Sequence, residues 1–404
     1  MALLLVLAAG GCGGGGDEDR KPLEPGATLT VFSSLPKGGD SSIESAAVAE
    51  GQRLALEDAQ GRAGAYRVRL VQLDSSGPEG GGWDPGVVEA NADRAAKDPA
   101  AIAYLGELDF GGSAISVPVT NREGLLQVSP SDGITSLTLP APGAGGAGPE
   151  RYYPSGTRTF ARLVPVDRLQ AEALVDWALE GNTANAAIVH DSTPFGRDMA
   201  SQLAVAATDR SLAVTSVSEV LDAREPESYA GVVKDVSEQR PSVLLYAGQR
   251  GVTAGPLLAA VHRALPDTRL FGDSGVATEG SMLRHGGGFG QLFTIKAARP
   301  ERSYGAEGRQ VLARLAAKRG RPVPVEALYG YESMRLVLDA VTEAGARGGD
   351  RAAVVGEALA PRTRRSALGA YEILPGGDVS ERRFGSYRRR GRAIVPIGLR
   401  TPPG

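Results

Sequence analysis

The chain has 404 residues, 42% of them hydrophobic and 23% charged, with a formal net charge of −3 at pH 7. That length and apolar content supply cores for two domains, and the interspersed charges exclude a nucleic-acid-binding surface. A single cysteine, Cys12, excludes an internal disulfide, a cysteine zinc site and a redox pair, while His190, His262 and His285 could share a metal only by converging from distant segments.

Residues 3–9 are apolar, two glycines precede Cys12, and residues 13–16 are glycine before the polar stretch DEDRKPLEPG. The apolar run is far shorter than the ~20 residues of a membrane-spanning helix. It reads as a processing segment followed by a flexible tether, or as an N-terminal scar with an incidental cysteine.

The alternation in 28–33 (TLTVFS) predicts a strand and 35–40 a Pro/Gly loop. Ser41 and Glu44 form a capping-box pattern opening a helix with Ile43, Ala47 and Leu54 on its buried face and Gly61 at its end. Residues 66–73 predict a second strand, and Asp84 and Pro85 suit the N-cap and first turn of a helix running to Lys97. A third strand at 101–105 enters the stretch YLGELDFGGSAISVPVT (104–120), which reads as strand, Gly-rich turn and helix start. In a parallel sheet such a turn aims backbone N–H groups at a ligand, and Gly106, Gly111 and Gly112 permit close approach. An ordinary tight connection has the same appearance. A fourth strand at 125–128 ends in SPSDG, and 138–158 is a Gly/Pro-rich insertion expected as a mobile loop. Its Tyr152 and Tyr153 either cover a cleft or pack on a neighbouring helix.

From 160 the pattern starts over. A helix carrying Leu169, Ala173 and Trp177 leads into strands at 186–190, 212–217, 242–246, 268–271 and 291–298, with helices between them including 229–238 and 251–264. Helices at 306–319, 326–344 and 352–360 precede a β tail at 370–373, 382–387 and 393–397. The expected fold class is α/β, two doubly wound parallel-sheet lobes with a ligand between them at the strand ends.

Seven stretches, beginning with GQRLALEDAQGRAGAYRVRLVQLDS (51–75), LGELDFGGSAISVPVTNREGLLQVSPSDGITSLT (105–138) and AAIVHDSTPFGRDMA (186–200), resemble in their order the leucine/isoleucine/valine-binding type of extracytoplasmic receptor for ABC transporters. The others are LLYAGQR, LFGDSG, ALYGYESMRLVLDAVTEAG and GAYEILPGGDVSERRFGSY. The resemblance implies the type I periplasmic-binding fold, with crossings near 163–166, 297–300 and 368–370. It divides the chain into a lipoprotein signal and tether (1–27), lobe 1 (28–164 plus 299–368) and lobe 2 (165–298 plus 369–404). It implies a monomer without cofactor, catalytic residues or metal, lipid-anchored at Cys12 outside the cytoplasm, that passes a small-molecule ligand to an ABC permease. Ala9 replaces the usual leucine before the cysteine, and the positive leader region is absent.

In amino-acid receptors of this type, a serine in the Gly-rich turn and a Ser/Thr loop after the next strand hold the ligand carboxylate. Those positions fall here on Phe110 or Gly111, beside Gly112, and on Ser131 and Gly133, so the hydroxyls are missing. Ser113 and Ser131 substitute only if the loop shifts. Asp167 matches an acidic position that contacts the ligand amine, or it caps the following helix. The second acidic position falls on Ser274, with Asp273 adjacent. Phe195 matches a cleft aromatic or is core, and Gln249 lies near another cleft aromatic. The expected ligand is therefore amino-acid-like, or an aromatic or bulkier solute. The same lobes also suit a ligand sensor without transport. Enzymatic hooks are confined to Ser274 in Gly-Asp-Ser-Gly and to His190-Asp191, and Val276 stands where a hydrolase nucleophile elbow needs glycine.

Overall fold

A computed structural model describes residues 21–78, 82–108, 110–141, 148–221, 226–249, 251–278, 291–390 and 393–403. Cys12, Asp109, His285 and the HGGGFG turn lie outside the described residues.

The first sheet has six strands in the order β2-β3-β1-β4-β5-β6: β1 Thr28–Leu35, β2 Arg62–Ala63, β3 Tyr66–Asp74, β4 Ala101–Leu105, β5 Leu126–Ser129 and β6 Phe160–Arg162. All pairs are parallel except the short β2 against β3. Helices α1 (Ser42–Asp58), α2 (Pro85–Lys97) and α3 (Ser113–Arg122) connect them. Asp84 caps α2 as its sequence predicts, its carboxylate accepting from Val87 N at 3.0 Å with Pro85 in the first turn.

The second sheet has seven strands in the order β15-β14-β11-β10-β9-β7-β8. Its parallel part comprises β7 (Asn185–Asp191), β8 (Ala213–Val220), β9 (Val243–Ala247), β10 (Arg269–Gly272) and β11 (Leu292–Lys296). Its helices are α4 (Asp167–Leu179), α5 (Pro194–Asp209), α6 (Pro226–Gln239) and α7 (Gly251–Ala264). The tail strands β14 (Phe384–Arg390) and β15 (Ala393–Arg400) add to it antiparallel.

Helices α8 (Ala306–Arg319), α9 (Ala327–Glu343) and α10 (Arg351–Ala358) return to the first lobe. There α9 packs so tightly on α1 that a Cβ at Gly330 would overlap the Val48 backbone. In each sheet the strand order reverses, between β1 and β4 and between β7 and β9, and the loops leaving those strand ends form the walls of a crevice.

The crossings follow from which core each residue joins. Val164 belongs to the first core and Ala171 to the second, and Ala297 touches both. The third return lies later than 368–370: Leu368, Tyr371, Ile373 and Val379 all pack in the first core, and Phe384 is the residue that enters the second. The reason is a hairpin whose first strand has no sequence signal, β12 (Arg364–Ser366) against β13 (Gly369–Tyr371), which keeps the chain on the first lobe. In the 138–158 insertion Tyr153 is buried, donating to Leu137 O at 2.8 Å under the Arg158 guanidinium, so it packs against its own lobe instead of covering the cleft.

Candidate functional site

Between the facing strand ends lies a cavity of about 90 Å³. The first lobe supplies Ser41 and Glu44 from the start of α1, Leu108 and Phe110 from the turn after β4, Ser131 and Gly133 from the loop after β5, and Tyr329 from α9. The second lobe supplies Asp167 and Gln170 from α4, Ser274 after β10, Lys296 at the end of β11, and Phe384. Of the residues expected from the sequence, Phe110, Ser131, Gly133, Asp167 and Ser274 therefore line one space.

The other four do not. Gly111 and Gly112 are not in the cavity lining, and a Cβ at Gly111 would meet the Trp83 ring. Phe195 is 1% exposed in the second lobe's core, with its ring stacked on Phe110 at 4.3 Å. Gln249 Nε2 donates to the Phe110 carbonyl. These two residues join the lobes beside the cavity, and Thr135 Oγ1 donating to Gln202 Oε1 at 2.8 Å makes a further link between them.

Asp167 does not cap α4. The N-cap is Val166, with no side-chain cap, and Asp167 is the first helical residue. Its Oδ1 accepts from Gln170 Nε2 at 2.9 Å, and Gln170 Oε1 accepts from Ser274 N at 2.7 Å. Asp167 Oδ2 and Ser274 Oγ have no hydrogen-bond partner among the described residues. Burial, with Asp132, Asp198 and Asp273 nearby, pushes the Asp167 carboxyl well above its usual range against the pull of Arg162. Gly133 answers to the same carboxyl, since a Cβ there would overlap Asp167 Oδ1. A threonine at 133 is incompatible with this placement of Asp167.

The Gly-rich turn is not an open anion cradle. Asp132, fully buried, accepts from Ser113 N at 3.1 Å and Ile134 N at 3.2 Å, so the start of α3 already holds a carboxylate of its own chain. Ala114 N and Ile115 N bond Gly111 O and Gly112 O, and the Ser131 hydroxyl donates to Leu108 O. The second lobe repeats the pattern: Asp273 accepts from Gly248 N (2.8 Å) and Gly275 N (2.9 Å), and Asp191 from Thr193 N (3.1 Å) and Gln249 N (2.9 Å). Asp273 is thus a buried loop anchor rather than a cavity residue.

Several site residues carry no sequence-level expectation. Ser41 makes no side-chain cap, and Glu44 lines the cavity. Lys296 Nζ pairs with Glu326 Oε1 across the lobes at 2.7 Å. Burial works against that ammonium, yet Glu326, Tyr387 and Glu44 hold it above the ordinary lysine range. Arg162, fully buried at the end of β6, donates to Asp132 O (3.1 Å), Ile134 O (2.8 Å) and Thr138 Oγ1 (2.8 Å) and pairs with Asp378 at 2.9 Å, bracing the loop that carries Gly133. An arginine two residues into a short apolar strand was the available signal for it. The hydrolase hooks do not meet: His190 Nδ1 lies 2.9 Å from Asp191 O, and among the described residues no base bonds Ser274 Oγ.

Two doubly wound lobes that enclose a mainly apolar cavity with three carboxyls, Glu44, Asp167 and Glu326, between their strand ends define a two-lobed ligand-binding protein of the type I periplasmic fold. Residues 31–382 match the periplasmic binding protein family, and the chain belongs to that family. Among solved structures it is similar to a leucine-binding protein, LivK, from Thermotoga maritima, with 16% identity, a TM-score of 0.78, and coverage of 93% of this chain and 99% of that one. It is similar to an ABC transporter solute-binding protein from R. palustris in complex with benzoate (17% identity, TM-score 0.73, 93% and 97% covered). A substrate-binding protein from Desulfitobacterium hafniense in complex with Leu gives 14% identity, a TM-score of 0.72, and coverage of 92% and 100%. No curated protein matches the chain at the sequence level.

Proposed function

We propose that the protein is an extracytoplasmic solute-binding protein that closes its lobes on a small organic ligand and presents it to an ABC permease. The observation that carries this reading is the cavity lined from both lobes at their strand ends. A ligand touching both walls binds the closed form better than the open one and shifts the population toward it, with the crossings as hinges. The similar proteins named above, two of them described as ABC transporter binding proteins, support delivery to a permease. The family is one of binding proteins, and no reaction is assigned.

In this reading Phe110, Ser131, Gly133, Asp167 and Ser274 meet the ligand, while Gly111, Gly112, Phe195 and Gln249 shape and latch the closed form. Lobe 1 takes 28–164 and the segment from 299 to about Val379, and lobe 2 takes the remainder to the C-terminus. Among the described residues no helix is long and apolar enough to cross a membrane. Acylation of Cys12 would supply the membrane attachment, and the protein works as a monomer. Native mass spectrometry of gently purified protein tests the function: a stoichiometric small-molecule adduct supports it, and its absence together with no thermal shift across a broad solute panel overturns it. Cys12→Ser tests the anchor, since loss of fatty-acid labelling and release from the membrane are expected.

A further inference from the structure

We propose that the solute is a small organic cation, an amine on a short apolar body, and that it carries no carboxylate. The inference rests on the solute-binding reading above and names its ligand class.

The first argument is what the site has already spent. An anionic ligand needs free donors, and six strand-end N–H groups are already taken by buried aspartates: those of Ser113 and Ile134 by Asp132 in the first lobe, those of Thr193 and Gln249 by Asp191 and of Gly248 and Gly275 by Asp273 in the second. The cavity's lysine, Lys296, is held by Glu326 at 2.7 Å. A ligand carboxylate entering here would face the carboxyls of Glu44, Asp167 and Glu326 with the one lysine already paired, at a cost typical of a poorly compensated buried charge.

The second argument is what remains unsatisfied. Asp167 is 2% exposed, lines the cavity, and its Oδ2 has no partner, while Ser274 Oγ beside it is also unpartnered. An unpartnered buried polar atom of this kind is costly unless something bonds to it. An ammonium brought against Asp167 favours the ionised carboxylate, donates to Oδ2 and has a proton left for Ser274 Oγ. The lining agrees: three carboxyls, Glu44, Asp167 and Glu326, line the cavity against the single Lys296 ammonium. Val48, Leu108, Phe110 and Phe384 give the apolar walls. Among the described residues no three His, Cys, Asp or Glu side chains are grouped to hold a metal ion, which favours an organic cation.

The test is calorimetric titration of the full chain with four probes sharing a branched aliphatic body: 3-methylbutylamine, leucine, 4-methylpentanoate and 3-methylbutan-1-ol. The amine is expected to bind at least about tenfold tighter than each of the others. Asp167→Asn, which keeps the shape and the Gln170 bond, is expected to cost the amine at least about tenfold and to leave the alcohol within about threefold. It is also expected to leave the Tm of the ligand-free protein at or above that of the wild type, whereas a structural role would lower it. Leucine or 4-methylpentanoate binding as tightly as the amine, or equal losses of amine and alcohol in the variant, overturns the cation class and leaves solute binding intact. If none of the four binds, the cation class falls, and solute binding falls with it only when native mass spectrometry also finds no adduct.

Discussion

In the first lobe the loop after β5 is braced by a buried charge pair: Arg162 reaches the Asp132 and Ile134 carbonyls and pairs with Asp378, while Asp132 gathers the N–H groups of Ser113 and Ile134. In the second lobe the corresponding aspartate, Asp273, rests on the N–H groups of Gly248 and Gly275 and has Asp191 as a like-charged neighbour. Burial raises both carboxyls, with Asp273 well above its usual range, and the Arg162 charge counters the rise at Asp132. The comparison teaches that one geometry, strand-end N–H groups folded onto an internal carboxylate, can be stabilised in two ways. One uses an ion pair that must stay intact. The other uses neutral hydrogen bonding that tolerates loss of the charge.

Breaking that comparison should show most at Arg162. Arg162→Met leaves Asp378 and Asp132 buried beside an apolar chain, and a loss of about 3–5 kcal/mol is expected in chemical denaturation. Proton linkage comes next. Glu107, 2% exposed after β4 and bonded by Tyr104 OH at 2.6 Å, is pushed from 4.5 up to about 8, chiefly by burial with Asp132 adding to it. Its folded form holds a proton that the unfolded chain releases, so its contribution is full below about pH 4.5 and is lost as pH rises toward 8. The expected slope is up to a few kcal/mol over that window. Thermal melts of Glu107→Gln should be flatter and should gain most over the wild type at pH 8. Glu332, at about 7, and Asp198, at about 6, leave a residual slope of the same sign.

Smaller effects sharpen the contrast. Phe110→Ala removes the stacked pair with Phe195, worth about 0.5–1.5 kcal/mol beyond its area. Because the pair spans the lobes, the change should appear as a more open cleft in small-angle scattering and as weaker ligand binding. Asp273→Asn keeps an acceptor for one of the two N–H groups and discards a charge that burial disfavours, so its cost should stay within about 1 kcal/mol. A cost equal to that of Arg162→Met would erase the distinction between the lobes.

Local chemistry made much of the fold legible. The strand at 101–105, the helices at 251–264 and 306–319, and the Asp84-Pro85 cap stand in the structure as the sequence predicts, because alternation, capping and turn residues act over a few neighbours. Failures came where a residue had two possible duties. Ser41 and Glu44 have the spacing of a capping box, but Ser41 makes no side-chain cap and both residues line the cavity, where the Lys296 ammonium, some 250 positions away along the chain, attracts Glu44. Asp167 looks like a helix cap and is instead turned into the cavity with one oxygen unpaired. The hairpin of β12 and β13 escaped notice because its first strand, Arg-Arg-Ser, has no apolar alternation.

By itself, then, the sequence determined the succession of strands and helices, the two doubly wound lobes, and several of the strand-end loops that line the cavity. Tertiary structure alone decided what those turns offer. Whether an N–H at a strand end is free for an anion depends on whether a carboxylate from another loop reaches it first, and Asp132 and Asp273 do so from 19 and 25 positions away along the chain. Such pairings arise from packing, where burial and close approach override local preference. They occupy from within the N–H groups of what reads as an anion-binding turn.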